Sequence, residues 1–135
     1  MKLQELLENG YGDVMGLNCA EKIVYGASWA YDLKLPPVAL KLSAGFGGGM
    51  GVEGICGAAT GAIMVLSHLY VNQNAHESTR IKELGKEFLA SLQEELEFTD
   101  CKNLKAKYRH GKGKCNPIIF KAAEILDAIV EREGL

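Results

Sequence analysis

The chain has 135 residues, of which 47% are hydrophobic and 24% are charged. This composition suits one domain with an apolar core and excludes an intrinsically disordered chain. The net charge of −2 and the isoelectric point near 5.9 argue against a nucleic-acid-binding protein.

Helical periodicity accounts for the first half of the chain. Leucines within the first seven residues predict a short helix that ends at the first glycines. Asn18, with Glu21 three positions later, predicts a capping box at the start of a second helix. Trp29 falls near the end of this helix, where we expect it in the core or in a groove. Pro37 opens a short helix, and a glycine-rich loop at 45–51 follows it.

The second half of the sequence predicts four more helices. Residues 53–72 are nearly all small or apolar and predict a buried central helix. Apolar residues at three- and four-residue steps predict an amphipathic helix that ends near Leu96, and a short helix begins near Cys101. The last helix has Asn116 as its predicted N-cap. Its predicted water-facing residues are Glu124, Asp127 and Glu131.

No run of alternating polar and apolar residues predicts a strand, and no linker or internal repeat divides the chain. We therefore predict an all-α fold in which residues 1–135 form a single domain. The expected architecture is a bundle of about five to seven helices, with a glycine-rich loop before a buried central helix.

The sequence also predicts a location. Its most apolar stretch, 58–71, is too short to span a bilayer and is interrupted by Ser67 and His68. The first ten residues include two glutamates and lack the apolar segment of a secretory signal. We therefore expect a cytoplasmic protein with no membrane span.

The candidate functional residues are four cysteines. They are Cys19, Cys56, Cys101 and Cys115. In a cytosolic protein, cysteines favour metal ligands or reactive thiols over a disulfide framework, and four separately buried cysteines are the alternative. Each of them lies at or beside a predicted helix start, where free backbone amides and the helix dipole favour a thiolate. Because no two form a C-x-x-C pair, tertiary structure must assemble any shared site.

Basic residues fill the segment between the last two cysteines. Residues 102–114 contain six of the fifteen lysines and arginines and no acidic residue. This pattern predicts an electropositive environment for thiolates, for an anionic cluster or for an anionic partner. A solvated, mobile loop is the alternative.

The glycine-rich loop also has two interpretations. Its backbone amides could hold an anion or sulfur atoms at a helix N-terminus, or its glycines could only allow close packing. It is not a P-loop, since no Gly-Lys-Ser/Thr follows. The candidate cofactor-binding residues are Gly47, Gly48, Gly49 and Gly57.

Taken together, these motifs resemble the C-GCAxxG-C-C family of redox-active proteins. The resemblance rests on Cys19, the glycine-rich loop, the sequence Cys-Gly-Ala-Ala-Thr-Gly at 56–61, and the single cysteines Cys101 and Cys115. It covers nearly the whole chain and implies a redox role for the four cysteines. A related domain in the split-Soret cytochromes implies an iron–sulfur centre bound by cysteines. The chain lacks the haem-binding part, so only the cysteine site carries over.

We therefore expect a redox-active protein whose cysteines bind an iron–sulfur cluster or another metal centre for electron transfer. Two alternatives stay open. One is thiol–disulfide chemistry without metal, for example between Cys19 and Cys56. The other is a non-catalytic helical module that holds a structural metal or binds a partner. The expected partner is a redox protein or a small molecule, whose identity stays open, as do enzymatic activity and a homo-oligomeric state.

Overall fold

The structure is a computed structural model that describes all residues from 1 to 135. It contains seven α-helices and no strand, which confirms the predicted all-α bundle. The helices are α1 (Leu3–Glu8), α2 (Cys19–Ala30), α3 (Pro37–Leu40), α4 (Gly57–Tyr70), α5 (Thr79–Leu96), α6 (Cys101–Tyr108) and α7 (Asn116–Glu133). None of them combines the length and the apolar character that crossing a membrane requires.

Helix α4 occupies the centre of the bundle, as predicted, and packs against α2, α5 and α7. It begins at Gly57, four residues later than predicted, because the preceding turn has left-handed backbone conformations at Met50 and Glu53 that end regular helix. Its buried residues are Gly57, Ala58, Ala59, Gly61, Ala62, Val65 and Leu66. Burial of these small side chains brings neighbouring helices close to the backbone of α4.

The prediction that Asp127 faces water is wrong. The residue is only 6% exposed, and its carboxylate accepts hydrogen bonds from three groups on two other elements. The backbone N–H groups of Leu3 and Gln4 donate at 2.8 and 2.9 Å, and the Tyr31 hydroxyl donates at 2.6 Å. Asp127 therefore supplies the cap that α1 lacks locally, where Lys2 has no capping side chain. The other two predicted water-facing residues of α7 are exposed.

Two smaller expectations are also corrected. Trp29 does not lie in the core or in a groove, since 67% of its surface is exposed. Cys115, and not Asn116, occupies the N-cap position of α7, and Asn116 is the first helical residue. This second difference is one residue, and it places the cysteine itself at the end of the helix.

Candidate cysteine site

All four cysteines contribute to the walls of one cavity, which has a volume of about 530 Å³. They come from four different helix starts: Cys19 is the first residue of α2, Cys56 the N-cap of α4, Cys101 the first residue of α6 and Cys115 the N-cap of α7. The four N-terminal ends therefore meet at one end of the bundle. Tertiary structure assembles the site, as the spacing requires.

A capping box fixes the position of Cys19. The Asn18 side chain accepts a hydrogen bond from the Glu21 N–H at 2.9 Å, and the Glu21 carboxylate accepts one from the Asn18 N–H at 3.0 Å. This confirms the predicted box. The Asn18 amide also donates to the Ala44 carbonyl at 2.9 Å, which ties the start of α2 to the segment before the glycine-rich loop.

Two glycines of the 56–61 motif allow α4 to pack directly on α2. A Cβ atom at Gly57 would lie 2.5 Å from the Cys19 Sγ and 2.8 Å from the Phe46 carbonyl oxygen. A Cβ atom at Gly61 would lie 2.9 Å from the Ala20 carbonyl oxygen. Real Cβ atoms essentially never approach so closely. These glycines therefore bring Cys19 against the start of α4 and next to the neighbouring Cys56.

A single antiparallel bridge joins the segments that precede α4 and α6. In it the Cys56 N–H donates to the Thr99 carbonyl at 2.9 Å, and the Cys101 N–H donates to the Gly54 carbonyl at 2.6 Å. The bridge is too short to count as a strand, which is why no strand pattern marks it in the sequence. Its effect is to hold two cysteines that are distant in sequence side by side at the cavity.

The glycine-rich loop packs against these cysteine segments. Gly48 has a φ of +65°, in the left-handed region that favours glycine, and it contributes to the cavity wall together with Gly57. Gly49 has a φ of +61°, and a Cβ atom there would lie 2.8 Å from the Cys101 Cβ. Gly47 fits closely against the residue that caps α2. Two of the four candidate glycines thus face the cavity, and two set the packing around it.

Burial has the largest effect on the pKa of the Cys56 thiol. The residue is 5% exposed, and this burial raises the pKa of its thiol to about 12. The neighbouring Cys19 raises the pKa further, and the amides of Ala58 and Ala59 lower it. The helix N-terminus therefore acts in the predicted direction, but desolvation is larger. The net pKa of the Cys56 thiol is therefore raised, although the helix N-terminus itself lowers it.

Two other cysteines follow the same rule. Burial is the largest effect on Cys101 and on Cys115, and it raises the pKa of both thiols. The strongest opposing charges are Lys105 for Cys101 and Arg109 for Cys115, each of which lowers the pKa. The proximity of Cys19 raises the pKa of both thiols, as it does for Cys56.

Basic side chains surround the cysteines. We call the five that contribute to the cavity wall the basic rim: Lys22, Lys105, Arg109, Lys112 and Lys114. Asp13 is the one acidic residue of the wall, and it pairs with Lys22 at 2.6 Å. Lys105 pairs with Glu53 at 3.2 Å. The remaining three cations of the rim are exposed and have no carboxylate partner, so the wall carries more positive than negative charge.

The donor set suits a thiophilic metal, because four thiolates are the usual ligands of iron–sulfur clusters and of structural zinc. As placed, no three Cys, His, Asp or Glu side chains form a group that could hold a metal ion. In a mononuclear site each sulfur lies about 2.3 Å from the ion. Such a site would require the four side chains to move towards one another.

The fold and the site define a small all-α protein with four convergent cysteines in an electropositive cavity. Residues 17–129 match the family model described as "Putative redox-active protein (C_GCAxxG_C_C)", and this stretch includes all four cysteines. The chain belongs to this family. Neither the comparison with curated proteins nor the comparison with solved structures gave a match.

Proposed function

We propose that Cys19, Cys56, Cys101 and Cys115 form one redox centre, in which they bind an iron–sulfur cluster or another metal for electron transfer. One observation carries the proposal: four cysteines from four separate segments contribute to the wall of the same cavity. Cysteines that served only as small apolar residues could be buried anywhere in the core, and their placement around one cavity supports a shared role. Membership of a redox-active family supports the same role.

The surroundings of the cysteines fit such a centre. When bound, an iron–sulfur cluster supplies one-electron transfer at low energetic cost. The chain contributes four sulfur donors, a wall of helix ends that limits water access, and positive charges that balance thiolates. Since a thiol loses its proton when it binds a metal, the nearby Lys105 and Arg109 favour the bound state.

Anaerobic purification followed by reconstitution with iron and sulfide tests this proposal. We expect a coloured protein whose visible absorption bleaches on reduction, with iron and sulfide in stoichiometric amounts per chain. A folded protein that stays colourless and iron-free after reconstitution would overturn it. Stoichiometric zinc, with loss of folding on chelation, would instead support the structural-metal module.

Metal-free thiol–disulfide chemistry is the second candidate, and one contact favours it. The Cys19 sulfur packs against Gly57, the residue directly after Cys56, and its proximity raises the pKa of the Cys56 thiol. The two thiols would lose two protons and two electrons to an oxidised acceptor and form one S–S bond. All four cysteines are free in the structure.

Thiol counting under mild oxidation separates the two candidates. If the dithiol reaction is correct, the metal-free protein loses two free thiols, and a reductant restores them. Cys19→Ser and Cys56→Ser should each abolish this loss, whereas the matched variant Cys101→Ser should retain it. An unchanged thiol count in the parent protein would contradict the dithiol candidate and leave the metal centre unaffected.

A further inference from the structure

We propose that the cavity binds a small polyanionic molecule, whose negative groups are held by Arg109, Lys112 and Lys114. We call these three residues the outer rim. The inference rests on the proposed function in one respect: the bound molecule is a candidate reactant of the cysteine centre. This reactant is a small carboxylate or phosphate ester with at least two negative charges.

The charges of the basic rim fall into two groups. Lys22 and Lys105, on helices, are already paired with Asp13 and Glu53. The outer rim has no carboxylate partner, and all seventeen acidic residues of the chain lie outside the segment between Cys101 and Cys115. Three unpaired cations over a cavity concentrate a positive field there, which attracts multivalent anions.

The backbone holds the outer rim at the cavity. Gly111 has a φ of +59°, and Lys114 has φ +49° and ψ −125°, a conformation that side-chain-bearing residues rarely adopt. Lys114 directly precedes Cys115, so this turn places a cation next to a cysteine at the start of α7. Strained conformations of this kind concentrate at binding sites. A glycine at 114 would relieve the strain, yet the sequence has a lysine there.

Size and wall chemistry favour a small molecule over an acidic protein. The volume of about 530 Å³ lies within the range of about 300–1,000 Å³ that is typical of small-molecule sites. The apolar residues of the wall include the half-buried Leu17, and Leu104 and Ile118, which have almost no exposed surface. A ligand with a short carbon skeleton and negative ends would contact this wall and the outer rim at once. A protein surface would reach only the outer rim.

Calorimetric titration of the reduced 135-residue protein tests the site. The probes are glucose 6-phosphate and propane-1,2,3-tricarboxylate, which represent phosphate esters and carboxylates, and neutral glucose is the uncharged control. We expect at least one anionic probe to bind and glucose not to bind. Binding should weaken several-fold when salt rises from about 20 mM to about 300 mM, because the contacts are screened. The triple variant R109Q/K112Q/K114Q should bind at least about tenfold more weakly.

A charge-matched variant controls for the loss of net charge. K41Q/K82Q/K86Q removes three exposed lysines that lie outside the cavity and have no carboxylate partner. It should bind the anionic probe like the parent chain. Equal binding by both triple variants, or binding of neither anion by the parent protein, would overturn the proposed anion site.

Thiol modification gives a second measurement that needs no variant. On metal-free protein, a negatively charged methanethiosulfonate should modify the cavity cysteines faster than its positively charged analogue, and high salt should remove the difference. Equal rates would contradict an electropositive entrance. Because this measurement requires neither metal nor electron transfer, an anion preference in a redox-inactive protein would defeat the proposed function alone. A redox centre without anion preference would defeat the further inference alone.

Discussion

The two ends of the bundle differ in whether their polar groups have hydrogen-bond or ion-pair partners. At the end formed by α1 and the second half of α7, Asp127 accepts three hydrogen bonds, and Arg132 and Arg80 form ion pairs with Glu87 and Glu133. At the cysteine end, four thiols are free and the outer rim has no carboxylate partner. The buried Tyr70 hydroxyl, which has no partner, is the exception at the first end.

The difference distinguishes polar groups that stabilise the fold from polar groups that are available to bind a ligand. A buried polar group whose hydrogen bonds are satisfied stabilises one fold, and its removal costs free energy of unfolding. A cluster of unsatisfied donors and charges in a cavity contributes little to stability and remains available to a ligand. The comparison therefore predicts that variants at the two ends differ in which property they lose.

The largest effect is expected for Cys56→Ser. Serine preserves the size of the side chain but is a poor ligand for soft metals, so reconstituted protein should lose more than about 90% of its iron. The free energy of unfolding of the metal-free protein should change by no more than about 1 kcal/mol, because a serine hydroxyl at the N-cap of α4 can accept hydrogen bonds from the amides of Ala58 and Ala59. Metal analysis and urea titration measure the two quantities. The control is Thr60→Ser, one turn further along α4 and outside the cavity, which should retain the metal. Full iron content in Cys56→Ser would contradict the proposal that Cys56 is a metal ligand.

Asp127→Ala should produce the reverse pattern. It removes a charged acceptor from three donors, and we expect a loss of about 2–4 kcal/mol in the free energy of unfolding. The thiol count and the metal content should stay unchanged. Glu131→Ala, at an exposed position of the same helix, should stay within about 0.5 kcal/mol of the parent chain. If Asp127→Ala lost metal but kept its free energy of unfolding, the expected division between the two ends would be contradicted.

Gly57→Ala tests the packing that links α2 to α4. The added methyl group would overlap the Cys19 Sγ and the Phe46 carbonyl oxygen, so we expect a loss of about 1–3 kcal/mol and a displaced Cys19. The control is Gly85→Ala in α5, where the nearest atom would lie at an ordinary 3.5 Å. Alanine there should be neutral or stabilising by up to about 1 kcal/mol, since it favours helix. Equal urea midpoints for the two variants would contradict the close approach.

The smallest expected effect concerns the order of thiol modification. In metal-free protein at neutral pH, iodoacetamide should alkylate half-buried Cys19 and Cys115 at least about tenfold faster than Cys56, whose pKa is raised to about 12. Because the thiolate is the reactive form, the rate at Cys56 should rise about tenfold per pH unit below that pKa. Peptide mass spectrometry gives the order, and urea-unfolded protein, in which the rates should converge, is the control. Faster reaction at Cys56 would be incompatible with its burial.

Local signals made much of the fold predictable. The capping pair Asn18–Glu21, the apolar stretch of α4 and the periodic leucines of α5 each act within a few residues, and the structure contains the corresponding helices. The order of the cysteines and the 56–61 motif indicated the family. The roles assigned to the cysteines and glycines remain proposals.

Long-range contacts explain the predictions that failed. Asp127 is a single acidic residue between Leu126 and Ala128 on α7, and the donors that bind it are 96 and more residues away in sequence. The raised pKa of Cys56 depends mainly on burial by the folded chain, which no local pattern encodes. Trp29 is exposed because no other element covers the end of α2 on that side.

Local patterns were enough to predict an all-α bundle of about five to seven helices, the Asn18–Glu21 cap, and the position of each cysteine at or beside a helix start. Those features depend on hydrogen bonds and side-chain periodicity within one or two turns. The packing of distant segments is what brings the four helix starts to one cavity, places Cys19 against Gly57, and joins the segments of Cys56 and Cys101 through one bridge. The reason is physical: desolvation and close packing arise from groups far apart in the chain, which meet only after it folds.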